Sequence, residues 1–231
     1  MQTTSALYNT ILADSNHWFE TRVLINNVVY DETKLFSVNT HVEMFQGTPT
    51  LGKAVAGEIS IKMLKPSVEI PAMAQIKPQV RVCNASNQSE WLAQGIYYID
   101  TRETTKNQDG LDVLTIHGYD GMLKAEQMYN GRITGTSTDI QMVNEIAYQM
   151  GANVDARTTA LMTNAYTIPL PTGYSYREVL GYIASMYVGC FVMSEVGELR
   201  LVSLLELPPE TNYLIDQVGD AILFGGDRIL V

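Results

Sequence analysis

Ala56-Gly57-Glu58-Ile59-Ser60-Ile61-Lys62-Met63 alternates, with Glu58, Ser60 and Lys62 on one side and Ile59, Ile61 and Met63 on the other. A β-strand turns successive side chains to opposite faces, so this run reads as a strand with one wet and one buried face. The neighbouring runs share its character. Downstream, Lys106-Asn107-Gln108-Asp109-Gly110 is a turn signal between strand-like residues 91–101 and 111–118, which predicts a hairpin. In its second arm Leu111, Val113, Thr115 and His117 alternate with Asp112, Leu114, Ile116 and Gly118. Upstream, residues 21–29 place Val23, Ile25, Val28 and Val29 around Asn26-Asn27, a pair suited to a tight turn. Residues 35–45 alternate loosely through Phe36, Val38, Val42 and Met44. Pro66, Pro71 and Pro78 are expected to break the run before a short strand at residues 79–83. Several short strands with turns between them predict a small barrel or sandwich.

The pattern changes after Tyr129. Thr138 and Gln141 form a capping-box pair ahead of Ile140, Val143, Ile146, Ala147 and Met150, which share one helical face. Gly151 falls where a left-handed residue ends a helix. Ser175 and Glu178 repeat the box ahead of Val179, Leu180, Ile183, Met186 and Tyr187, with Gly189 as the expected stop. Residues 190–194 and 198–204 then flank Glu195-Val196-Gly197 as a hairpin. At the N-terminus, Ala6, Leu7, Ile11 and Leu12 predict a short helix ending near Asp14-Ser15-Asn16. The expected fold class is α+β. A β-rich barrel or sandwich-like domain covers residues 1–130, behind that helix. An α+β domain covers 131–206, and a strand segment covers 207–231 after the rigid Pro208-Pro209. The apolar end, Ile229-Leu230-Val231, is expected to return to the first domain, join a partner or begin a further domain.

Composition narrows the function. Hydrophobic residues make up 46% of the 231 residues and charged residues 17%, enough apolar material for a packed core. The net charge of -10 argues against direct nucleic-acid binding, which needs cations against phosphate, and against an anionic membrane surface. It fits an acidic solvated surface or one that meets a basic partner. Cys83 and Cys190 stand far apart, which fits a reducing compartment without a disulfide framework. The opening Met1-Gln2-Thr3-Thr4-Ser5 shows no secretory signal, and no apolar run approaches the roughly 20 residues that span a bilayer.

Signals for chemistry are sparse. His17, His41 and His117 are isolated from other ligand-type residues. Motifs for a zinc protease, a serine-hydrolase elbow, a phosphate loop or a dinucleotide fold do not occur. Gly131-Arg132-Ile133-Thr134-Gly135 could cradle an anion ahead of a helix or simply link two units. Asp100, Glu103, Asp109, Asp112 and Asp120 gather around the expected hairpin, where acids are common in turns and on wet faces, but glycosidases also use paired carboxylates. Asn84 and Asn87 begin Asn-x-Ser triplets of little weight without a signal peptide. Trp91, Tyr97 and Tyr98 read either as strand packing or as an exposed binding surface. No catalytic residue, cofactor site or metal site is drawn from the sequence.

Four stretches, in order, carry a resemblance. They are Tyr8-Asn9-Thr10-Ile11-Leu12-Ala13 with Asn16-His17-Trp18-Phe19-Glu20-Thr21-Arg22; Leu51-Gly52-Lys53-Ala54-Val55-Ala56-Gly57-Glu58-Ile59; Glu90-Trp91-Leu92-Ala93-Gln94-Gly95-Ile96-Tyr97-Tyr98-Ile99-Asp100-Thr101-Arg102 with His117-Gly118-Tyr119-Asp120-Gly121-Met122-Leu123-Lys124-Ala125-Glu126; and Tyr176-Arg177-Glu178-Val179-Leu180-Gly181-Tyr182-Ile183-Ala184. Together they resemble the N-terminal module of tail-associated lysins and prophage endopeptidase tail proteins, similar in plan to the baseplate hub protein of contractile tails. The resemblance implies a structural, non-enzymatic homotrimer forming a ring at the distal end of a phage tail tube. Its implied partners are the distal tail protein, the tape-measure protein and a spike, fibre or lysin component. It implies location in the virion tail tip, with the host cytoplasm before assembly. Family members often carry long C-terminal extensions with peptidase, hydrolase or receptor-binding activity; residues 1–231 contain nothing of that kind, so no enzymatic role is expected of them. A tail-associated cell-wall hydrolase or peptidase and a host-wall carbohydrate-binding module stand as alternatives.

Overall fold

The computed structural model describes residues 3–42 and 51–204, with two further short strands at 223–224 and 227–228. Helix α1 (Ala6–Leu12) begins at Ser5, whose hydroxyl accepts the Tyr8 N–H. It buries only Ile11 and leaves Leu7 and Leu12 exposed. Strand β1 (Trp18–Ile25) turns into β2 (Val28–Tyr30) through Asn26 and Asn27, both at positive φ (49° and 65°). That pairing is the two-residue turn whose twist matches the strands on either side, and asparagine tolerates it. Then follow β3 (Leu35–His41), β4 (Lys53–Ala54), β5 (Glu58–Leu64), β6 (Gln75–Cys83), β7 (Leu92–Ala93), β8 (Tyr97–Lys106) and β9 (Asp112–Asp120).

Eight strands form one antiparallel sheet in the order β2-β1-β6-β8-β9-β5-β3, with β7 beside β6. Its inward faces share one core: Val23 and Ile25 from β1, Tyr30 from β2, Ile59, Ile61 and Met63 from β5, Ile76 from β6, and Ile99 from β8. Residues from both ends of the strand order meet in that cluster, so the sheet curls around its own apolar face. Burying each such side chain contributes roughly 1.5–3 kcal/mol, which pins the register of the alternating strands. The path does not close, because β2 and β3 are its two ends and do not pair with each other. The expected barrel is thus an open sheet among the described residues.

Two strands differ from their sequence reading. Strand β6 runs straight through Pro78, which pairs with Val23. The neighbours on its other side, β8 at Gln75–Ile76 and β7 at Gln79–Val80, leave a gap at Pro78. Its carbonyl accepts the Gln94 N–H on that side, and the N–H that proline lacks would have faced the same gap. The expected strand over residues 91–101 is instead split into β7 and β8. Gly95 breaks it at φ 112°, because its N–H donates to the Glu195 carbonyl and the Tyr97 ring lies where a Cβ would project. The hairpin β8–β9 forms as expected, with the Asn107 side-chain carbonyl accepting the Asp109 and Leu111 N–H groups.

After β9 the chain enters a 3-10 helix (Gly121–Glu126) that the hydrophobic pattern did not reveal. It continues through β10 (Ser137–Thr138), α2 (Asp139–Met150), α3 (Ala156–Leu161), β11 (Thr167–Ile168), α4 (Tyr176–Met186), β12 (Gly189–Met193) and β13 (Leu199–Ser203). Both expected capping boxes form, at Thr138–Gln141 and Ser175–Glu178, and Gly151 closes α2 in the left-handed region at φ 70°. Helix α4 does not stop at Gly189. The left-handed residue is Val188 (φ 50°), and Gly189 lies inside β12, where a Cβ would sit 2.4 Å from the Val202 carbonyl oxygen. Asp155 caps α3, an element too short for periodicity to expose.

A second core gathers Met142, Val143, Ile146, Tyr176, Leu180, Ile183, Phe191 and Leu201, and it takes in Ala54, Met122 and Ala125 from earlier in the chain. Strand β4 enters this unit as a parallel partner of β12. Gly181 of α4 packs against it so closely that a Cβ would come within 2.7 Å of the Gly52 carbonyl oxygen. The small sheet runs β13-β12-β4. Strands β14 (Leu223–Phe224) and β15 (Asp227–Arg228) pair with each other. The remaining expectation for residues 207–231 lies outside the described residues.

Candidate functional site

The five carboxylates singled out in the sequence do not form one site. Lys106 pairs across the hairpin with Asp112, whereas Asp120 lies at the other end of β9 opposite Tyr97. At about 3.3 Å per residue those two acids stand far beyond the roughly 5–9.5 Å of a glycosidase pair. Asp100 sits at the bulge between Ile99 and Thr101, and Asp100, Glu103, Asp109 and Asp112 are all exposed.

Asp120 is the exception. It is buried at the joint between the large sheet and the second core. One carboxylate oxygen accepts the Gly57 N–H at 2.7 Å and the other the Met122 N–H at 2.9 Å. Burial raises its pKa to about 6, opposed by those two bonds and by the Arg177 charge. Arg177 on α4 donates to the Ala54 carbonyl at 3.0 Å and the Met122 carbonyl at 3.3 Å, and it approaches Glu126 at 2.7 Å. A cavity of about 280 Å³ lies beside Asp120, lined also by His41, Gln94, Tyr97 and Glu195. Glu195 is turned toward Arg157 at 3.3 Å. Asp120 and Arg177 thus use their polar atoms chiefly on the backbone of Ala54, Gly57 and Met122, which is a fastening role. Position Gly57 serves it, since a Cβ there would meet the Asp120 carboxylate at 2.8 Å.

The other candidates scatter. His17 lies against the Asp14 carbonyl and the Phe19 ring, while His41 and His117 are exposed on β3 and β9. Among the described residues no three of His, Cys, Asp and Glu come together as metal ligands. Cys83 and Cys190 are both buried, and no disulfide joins them. Within residues 131–135 the Arg132 N–H already donates to Glu145 and the Arg132 guanidinium lies over Tyr148, so a carboxylate holds the place an anion would take. Asn84 builds a turn by accepting the Ser86 and Asn87 N–H groups. Tyr97 is buried and Tyr98 half-buried. Trp91 is half-buried beneath two arginines, an arrangement no sequence motif announced.

The exposed surface carries more information than any cleft. Val28 and Val29 on β2 are 54% and 51% exposed, and Phe36 on β3 is 53% exposed. Both strands are ends of the sheet among the described residues, so there each presents apolar side chains beside edge backbone groups. No described helix is long and apolar enough to cross a membrane.

These features define an α+β protein built on a curled, open antiparallel sheet that is clasped by a helical unit. No protein-family model matches the chain, and no curated protein is similar to it in sequence. Among solved structures it is similar to the 43 kDa tail protein of prophage MuSo2 from Shewanella oneidensis, with a TM-score of 0.52 and 13% identity over 80% of this chain and 56% of that one. It is also similar to prophage tail protein gp18 from Listeria monocytogenes EGD-e (TM-score 0.47, 9% identity, 86% and 55% covered) and to a tail protein from Neisseria meningitidis MC58 (0.46, 13%, 79% and 51%). The chain spans about half the length of each of these proteins. The first likeness establishes a shared fold, and at that level it agrees with the tail-protein resemblance read from the sequence.

Proposed function

We propose that this chain is a structural subunit of a bacteriophage or prophage tail. In this reading, copies form a ring, a homotrimer in the particle, at the distal end of the tail tube. The ring anchors spike, fibre or lysin parts and meets the distal tail and tape-measure proteins. The observation that carries the reading is the open sheet, whose two apolar end strands have no outer partner strand among the described residues. Exposed edges of this kind are a liability in a solitary protein and an asset in an assembly. If β3 of one copy meets β2 of the next, both edges are satisfied, and a head-to-tail contact of that sort closes into a ring when its rotation permits. The shared fold with a prophage tail protein supports the same reading. The division into a β-rich part over residues 1–130 and an α+β part over 131–206 belongs to it, with β4 reaching from the first into the second.

Immuno-electron microscopy of particles from an induced lysate tests the reading. Label confined to the distal tail tip is the expected result. Unlabelled particles with free antigen in the lysate would overturn it.

A further inference from the structure

The outer face of β1 and β6 carries a charge arrangement that the fold does not need. Alternate residues Glu20, Arg22 and Leu24 of β1 lie opposite Arg81, Gln79 and Lys77 of β6 on the face away from the core. The guanidinium groups of Arg22 and Arg81 both lie over the Trp91 ring, at 4.2 Å and 4.4 Å from its centroid. Glu20 is committed to Arg81, which donates to one of its oxygens at 2.6 Å and 2.9 Å, while the Trp18 indole faces its other oxygen at 3.4 Å. Arg22 has only a neutral partner, donating through Nε to the Gln79 side-chain carbonyl at 2.7 Å. Among the described residues it forms no ion pair, and its two terminal nitrogens have no hydrogen-bond acceptor. They are not buried. Lys77, half-buried on the same face, has no ion pair there either. Surplus cationic charge is thus fixed in place by an indole in a protein of net charge -10. The missing component is a carboxylate, which a guanidinium accepts through two parallel N–H groups.

We propose that the Arg22–Trp91–Arg81 stack is a docking surface for the acidic β8–β9 hairpin of a second copy of this chain. The hairpin supplies the complementary charge. Asp100, Glu103, Asp109 and Asp112 outnumber Arg102 and Lys106 along it. Arg102 is turned back toward Ile70 and Glu69, and Lys106 lies 4.0 Å from Asp112. Asp100, Glu103 and Asp109 are exposed without an ion-pair partner among the described residues. Stack and hairpin lie on different strand pairs of one sheet, β1/β6 and β8/β9. When each copy offers its stack to one neighbour and its hairpin to another, the contact is heterologous, the type that builds rings. The proposal rests on the ring reading and names a contact within it. The charged pairs would set orientation and partner choice more than raw affinity.

Sedimentation velocity on the full chain, at low and at high salt, tests it by charge exchange. Arg22→Glu, and separately Glu103→Lys with Asp109→Lys, should each weaken self-association by about tenfold or more, and salt should weaken the wild type in the same sense. Combining all three substitutions in one chain should restore association. Arg22→Gln, which keeps the shape of the stack, guards against misfolding and should give an intermediate loss. A wild type that stays monomeric at low salt overturns the proposal. So does self-association that ignores these charges, or a combined variant that folds and fails to recover. Label at the tail tip in the microscopy experiment would survive either failure, so the two ideas fall separately.

Discussion

Replacing Asp120 by asparagine separates the charge of the buried carboxylate from its hydrogen bonding. Burial raises the folded-state pKa to about 6, against an ordinary value of 3.8. The folded state therefore holds the Asp120 proton over a pH range in which the unfolded chain has released it. Stability from this group is greatest below the unfolded value and is lost as pH rises from about 4 to about 6, levelling off above. At about 1.36 kcal/mol per pH unit the shift amounts to about 3 kcal/mol. Asparagine also loses one of the two backbone bonds, because its amide N–H₂ would face a donor, but that cost of about 1–3 kcal/mol does not vary with pH. Urea unfolding followed by the fluorescence of Trp18 and Trp91 gives both quantities. The wild type should lose about 3 kcal/mol relative to Asp120→Asn between about pH 3 and pH 7. Glu20, Asp155 and Glu145, whose pKa values are lowered by their hydrogen bonds, work in the opposite direction and cancel in the comparison. A gap between the two proteins that stays constant with pH would refute the assignment of a desolvated carboxylate at the joint.

Gly181→Ala should destabilise the protein by about 1–2 kcal/mol although alanine is the better helix former, because overpacking against the Gly52 carbonyl outweighs the roughly 1 kcal/mol of propensity. A calorimetric midpoint that rises would contradict the close packing of α4 on β4. Tyr187→Phe should cost about 2–3 kcal/mol, since the Tyr187 hydroxyl donates to Oδ2 of the fully buried Asp139, and its removal leaves that oxygen without this bond while the Ile140 N–H stays on Oδ1. Denaturant midpoints within error of wild type would count against that bond.

Legibility in the sequence followed the range of the forces involved. Strand β5, the Asn26-Asn27 turn, the β8–β9 hairpin and the two capping boxes were readable because each is set within a dozen residues by alternation, turn chemistry or reciprocal capping. Pro78 and Gly189 misled for a common reason. Proline forbids one hydrogen bond, and β6 happens to have a gap at that point; glycine permits a left-handed stop, but at residue 189 it is required by contact with β13. Both reasons come from distant chain. The 3-10 helix and α3 are too short to show a period. The openness of the sheet was not legible either, since alternating strands look alike in a closed barrel and an open curl. Asp120 was visible only as one acid among five, and nothing local marked it as the buried one. The Arg22–Trp91–Arg81 stack assembles three residues from three strands or loops, so no window of sequence contains it.

The clasp formed by β4 also has a consequence for synthesis. Every strand of the large sheet has emerged once Asp120 leaves the ribosome, so that sheet can close its core while translation continues. Lys53 and Ala54 must then wait for Cys190 and Phe191. Until those residues arrive, β4 has no strand of its own small sheet to pair with, and Gly52 lies open until α4 emerges just ahead of them. Assembly of the second unit therefore includes the capture of an early segment by a late one. A nascent chain stalled before β12 should expose residues 51–54 to protease, and release of the stall should protect them.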